Sequence, residues 1–114
     1  MDSILTSIKK MLGIDKEYTH FDPELIIFIN SAFGVLFQLG VGPTDEPFVI
    51  TGEKEVWEDF IDGIDGEQLE TVKSYVYMKV KLLFDPPSSS FVLNSYQDLI
   101  KEFEWRCHVH AETP

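Results

Sequence analysis

The chain has one cysteine, Cys107, few basic residues and no long apolar run. A lone cysteine excludes an internal disulfide and makes a reducing compartment the simpler expectation. Nine Lys and Arg stand against twenty Asp and Glu, a net charge of -11. Tight nucleic-acid binding is excluded on that balance, because phosphate contact depends on clustered basic side chains. No apolar stretch approaches the roughly 20 residues that span a bilayer. The start, MDSILTSIKK, lacks the basic opening and cleavage site of a signal peptide. A soluble, intracellular product without a membrane partner is expected. A phosphate-binding glycine loop, a GxSxG elbow and an HExxH helix are also missing, so no enzyme activity and no cofactor are expected.

What is present is concentrated. Residues 44–70 hold ten acids, Asp45, Glu46, Glu53, Glu55, Glu58, Asp59, Asp62, Asp65, Glu67 and Glu70, against Lys54 alone. The remainder carries ten acids and eight bases and is nearly balanced. At 114 residues the chain fits one domain with a modest core. The expected division is a helical domain over 1–107 and a tail over 108–114.

Helical periodicity dominates. Ile4, Leu5, Ile8, Met11 and Leu12 give a short helix an apolar face, with Ser3 or Asp2 to cap it and Gly13 to stop it. In THFDPELIIFINSAFGVLFQLG, Asp22 is the expected cap, Pro23 the first helical residue and Gly40 the stop. Leu25, Ile29, Ala32, Leu36 and Leu39 form its stripe, yet Ile26, Ile27, Phe28, Phe33, Val35 and Phe37 leave little polar surface. Such a helix is either central or covered by a neighbouring subunit.

The segment 40–52 has three glycines and two prolines around Phe48-Val49-Ile50, which reads as a loop with at most one brief strand. EKEVWEDFI predicts a short acidic helix with Val56, Trp57, Phe60 and Ile61 inward. The long helix over 67–84 has Leu69, Val72, Val76, Val80 and Leu83 on one side, with Lys73, Tyr77 and Lys81 opposite. Pro86 cannot continue it and pushes Asp85 out of helical geometry. One of Ser88, Ser89 and Ser90 caps the next helix, over about 91–107. Its stripe is Val92, Tyr96, Leu99 and Phe103, with Leu93, Ile100 and Trp105 flanking it. The expected fold is all-α, about five helices, two of them long and joined by a Pro-Pro corner.

Two apparent metal motifs fail on spacing. Glu104, Cys107, His108 and His110 are close in sequence, but adjacent helical residues diverge by about 100° and no second Cys/His pair completes a tetrahedral set. DGIDGE lacks the alternating ligands and the distant glutamate of a calcium loop. A solvated tail and a solvated acidic turn are the simpler readings. His20 has no nucleophile motif beside it.

Taken in order, ILTSIKKMLGI, FDPELIIFINSAFGVLFQLGVGP, VWEDFI, VKSYVYMKVKLLFDPPSSSF and EFEWR resemble the phage head-tail connector family, the portal adaptors of long-tailed phages. The most specific pieces are Ile29 to Ala32, Gln38 to Pro43, Leu83 to Pro87 and Glu104 to Arg106, and the resemblance covers essentially the whole chain. It implies a structural, non-catalytic virion protein, made in the host cytoplasm. Copies would form a ring, dodecameric in the virion, below the portal protein. The ring would extend the DNA channel and offer a docking surface to a tail-side stopper or completion protein. DNA would pass without specific binding.

The resemblance also implies a portal contact at the end of the last helix, here Trp105, Arg106, His108, Val109 and His110. Trp105 could instead pack on its own core. Repulsion keeps DNA moving, so part of the acidic segment, with Asp45, Glu46, Glu53 and Glu55, is expected to line the channel or to make loop contacts. The corner Asp85, Pro86 and Pro87 is expected to set the angle between the long helices and so the curvature of the ring. Two rival classes compete with this reading. One is an acidic DNA-mimic inhibitor, which the charge permits although its acids are gathered rather than spread along a face. The other is a small enzyme holding a metal in the acidic cluster, which lacks ligand spacing.

Overall fold

The computed structural model describes residues 3–43, 45–60 and 66–112, the side chains of 66, 67 and 108–112 excepted. The chain is all-α: α1 (Ile4–Leu12), α2 (Asp22–Gln38), α3 (Trp57–Phe60), α4 (Gly66–Phe84) and α5 (Ser90–Glu112). No strand occurs among the described residues; an isolated antiparallel bridge joins Ser3 to Val56.

Local chemistry sets the helix ends. The Ser3 hydroxyl oxygen accepts the Thr6 amide at 3.0 Å and caps α1. At its other end Gly13 has φ 81, a left-handed geometry that a side chain would strain. There Ile14 donates to the Lys9 carbonyl at 2.8 Å and Gly13 to Lys10 at 3.1 Å, the paired bonds of a Schellman stop. The end of α2 repeats this design, with Gly40 at φ 81 and the Val41 amide reaching back to Leu36 at 2.9 Å.

The start of α2 differs from expectation. Asp22 is not the cap; Phe21 holds that position without a side-chain bond, and Asp22 is the first helical residue. Its carboxylate faces Lys9 instead. The ammonium of Lys9 lies 2.9 Å from Asp22 and donates to the Lys16 carbonyl at 2.9 Å. Lys9 is completely buried, and a buried charge requires a counter-ion and hydrogen-bond acceptors more than the helix requires a cap.

The core is organised around α2 and α4, which run antiparallel: Phe21 at the start of α2 meets Phe84 at the end of α4, ring centroids 5.1 Å apart. Leu25, Ile29, Ala32, Phe33 and Leu36 of α2 are buried against Val72, Tyr75, Val76 and Val80 of α4, and Ile4, Leu5 and Ile8 of α1 close the same core. Within the single chain α2 is the central helix. Ile27 is nevertheless 64% exposed on its outer side.

Two predicted stripes shift. Leu83 is exposed rather than buried, because Phe84 closes the end of the core. Helix α5 packs on α4 through Ile100, Phe103, Tyr96 and Cys107, while Val92 and Leu99 are exposed. With α4 as its main neighbour, α5 buries only a narrow strip. It also runs past Cys107 to Glu112.

Candidate interaction surfaces

Three regions hold the residues singled out in the sequence. The first is the corner. The Asp85 amide completes the last turn of α4 on the Lys81 carbonyl at 2.9 Å, and the Asp85 carboxylate takes the Lys81 ammonium at 3.0 Å. Pro86 and Pro87 then turn the chain, and the Ser89 carbonyl and hydroxyl receive the amides of Leu93 at 3.0 Å and Val92 at 3.4 Å. Of the three serines, Ser89 is the cap. Helices α4 and α5 form an antiparallel hairpin, fastened far from the corner by Tyr75 stacked on Phe103, centroids 4.6 Å apart. The Tyr75 hydroxyl donates to Glu104 at 2.7 Å. Burial first, then this bond and charge, hold the Tyr75 phenol well above its ordinary 10.0. Beside it, Tyr77 meets Tyr96 at 6.3 Å; burial, then Tyr96 and Asp85, push Tyr77 up to about 12.

The second region is the outer side of α5. Trp105 is 65% exposed and Phe91 is 79% exposed. That settles the two placements open for Trp105: it does not pack on its own core. Arg106 is exposed and paired with Glu102 at 2.6 Å. His108, Val109 and His110 continue the helix, and their side chains lie outside the described residues. Next to this region, a groove of about 610 Å³ opens between α4 and α5 and includes Met11, Met78 and Leu99 in its lining. Cys107 is half-buried; burial, then Glu104, push its thiol up, which disfavours the thiolate a nucleophile or metal ligand needs. Among the described residues no three His, Cys, Asp or Glu come together as a metal-holding group.

The third region is the acidic loop. Asp45, Glu46 and Glu53 are exposed, whereas Glu55 is half-buried. Burial raises the Glu55 pKa, but the Thr51 amide, the Thr51 hydroxyl at 2.8 Å and the amides of Glu55 and Gly52 outweigh it and hold the carboxyl below its ordinary 4.5. Glu55 is therefore a fixed charge, and its own carbonyl receives the Ile4 amide at 2.9 Å. In α3, Asp59 reaches back to the Val56 amide at 3.0 Å, half of a capping box. Trp57 and Phe60 are buried and Val56 half-buried. Ile61 and most of DGIDGE, residues 62–65, lie outside the described residues.

The loop is held more firmly than its composition suggests. The Asn30 side chain donates to the Ile50 carbonyl at 3.0 Å and accepts the Ile50 amide at 2.7 Å. Gly42, at φ 93, lies so close to Phe60 that an added Cβ would sit 2.4 Å from the ring. Phe48 enters the cluster of Phe33 and Phe60, with centroids 5.1 and 5.5 Å away. The sequence reading does not include the clamp on Ile50, although a signal exists: Asn30 is an amide in the middle of the apolar run of α2, followed by the β-prone Phe48-Val49-Ile50 about twenty residues on. Lys9 carries a similar signal, falling at i+1 and i+4 from Ile8 and Leu5 on the buried side of α1.

Together these features define a small all-helical protein that turns acidic and apolar side chains to its surroundings and has no metal-holding group among its described residues. The chain belongs to the phage connector protein family, whose model matches residues 4–114. No curated protein and no solved structure gives a significant match. Among the described residues no helix is long and apolar enough to cross a membrane.

Proposed function

We propose that this chain is a head-tail connector subunit of the virion. Copies assemble into a ring beneath the portal, extend the DNA channel and present a docking surface to a tail-side component. The observation that carries this reading is the family match across residues 4–114. It is consistent with the exposed apolar side chains Ile27 on α2, Leu83 on α4 and Phe91, Leu99 and Trp105 on α5, which neighbouring copies would cover. In a ring, two different patches of each copy meet head to tail, so apolar surface on separate sides is the requirement.

In this arrangement the C-terminal end of α5, with Trp105, Arg106, His108, Val109 and His110, meets the portal. An exposed tryptophan beside an arginine is a common anchor of protein interfaces. Asp45, Glu46, Glu53 and the charge of Glu55 belong to a loop that either lines the channel, where it repels DNA phosphates, or contacts the next tail component. No catalytic step is assigned to any residue.

Native mass over a concentration series, alone and with the portal protein, tests the reading. The expected outcome is a large closed oligomer, formed alone or only on the portal. A monomer or dimer indifferent to portal overturns it and favours an acidic DNA-mimic inhibitor.

A further inference from the structure

From Pro47 to Thr51 burial alternates residue by residue, with Phe48 and Ile50 turned inward and Pro47, Val49 and Thr51 outward. That is the period of a β-strand, in residues suited to one. An edge strand is paired on one side and presents a row of backbone groups on the other, and here the paired side has a substitute. Asn30 bonds both the amide and the carbonyl of Ile50, the two-bond exchange that a facing strand residue would make. In an extended segment the next residue points its polar groups the other way. Val49 does so with no partner: among the described residues, neither its N–H nor its C=O is hydrogen-bonded, whereas on the same edge Pro47 has no N–H and the Thr51 amide serves Glu55, so the pairing centres on Val49. Val49 as a whole residue is 52% exposed.

We propose that residues 47–51 are a preformed edge for β-strand addition, taking an extended segment of another protein that is flanked by lysine or arginine. Main-chain bonds to Val49 give the pairing, and the flanking charges choose the partner. Asp45 and Glu46 on one side and Glu53 on the other are exposed, with Lys54 the opposing charge. A second copy of the same segment is disfavoured: paired antiparallel about Val49, it would set Asp45 against Glu53, like charges directly opposite. Among the described residues the chain offers no strand of its own for the role. In the connector reading, on which this assignment of a partner rests, the occupant belongs to the tail-side component.

The test uses the intact protein and a synthetic capped peptide, Lys-Val-Thr-Val-Lys, with Glu-Val-Thr-Val-Glu as control. Amide exchange by NMR is the readout. In the free protein the Val49 amide should exchange at the rate of an open chain while Ile50 is protected. On adding the basic peptide, Val49 should gain about tenfold protection, the change expected of one net hydrogen bond. The acidic control should show none of it, and the Val49→Pro protein, which has no amide there to read, should lose the peptide-induced shift changes that the neighbouring Phe48 and Ile50 amides show in the parent. Should Val49→Pro disturb the fold, N-methylvaline at position 49 removes the same donor with less change. Protection of Val49 in the free protein, no protection at millimolar basic peptide, or equal binding of the acidic control overturns the proposal. Native mass with portal on the unmodified protein separates the two readings. Closed oligomers without strand addition sink only this inference; failure to assemble sinks the connector assignment, while Val49 protection still reports on the edge itself.

Discussion

Asn30 and Gly42 show how single residues turn a loop of glycine and proline into a fixed surface. The Asn30 amide replaces a whole strand for Ile50, and Ile50 is itself 2% exposed, so its backbone groups could not turn to water if the amide were lost. Asn30→Leu should therefore destabilise the chain by about 1–3 kcal/mol, the cost of stranding buried backbone partners. Denaturant midpoints measure that loss, and amide exchange should show Ile50 opening ahead of the core. An equal loss of protection throughout α2 and α4 would mean that Asn30 supports the core and not the loop. Gly42 acts by absence: its left-handed backbone and the ring of Phe60 leave no room for a side chain.

At the scale of helices, the hairpin of α4 and α5 is fastened at its open end by Tyr75, Phe103 and Glu104. The Tyr75 and Tyr77 phenols stay protonated in the folded chain well beyond 10.0, where they ionise when unfolded. A raised folded pKa gives stability that is complete below the unfolded value and lost as pH climbs through the window above it. Stability should hold to about pH 9.5 and fall steeply above about pH 10. Tyr75→Phe should lower stability at neutral pH by about 1 kcal/mol through the lost bond to Glu104, and should flatten the alkaline decline. Urea midpoints across pH check both slopes; an unchanged decline in Tyr75→Phe would place its cause elsewhere.

The helices themselves were legible because apolar spacing, Ser3, Gly13, Gly40 and Pro86 act locally. The misreadings are tertiary. Asp22 looked like a cap until the distant Lys9 required a counter-ion, and the stripe of α5 rotated because only one neighbour covers it. The candidate surfaces were legible in part. Exposure of Trp105 depends on how α5 lies against α4, and the Asn30 clamp joins residues twenty apart, which no local periodicity reports.

For the whole molecule the decisive geometry is the angle between α4 and α5. Their seam is secured by Tyr75, Tyr77, Tyr96 and Phe103, so the pair should stay helical and packed without the prolines. The corner has a narrower task. Each proline fixes one backbone angle, and two in succession limit the ways in which α5 can leave α4. In a closed ring a small angular error per copy accumulates around the circumference, so curvature must be uniform although monomer stability need not change. Pro86→Ala combined with Pro87→Ala is therefore expected to keep the helical circular dichroism of the parent. A melting change should stay near 1 kcal/mol, the entropy of a looser unfolded chain. The same protein should give irregular or incomplete rings with portal by native mass and electron microscopy. Uniform closed rings would show that the seam alone sets the curvature, leaving the prolines as a helix stop and nothing more.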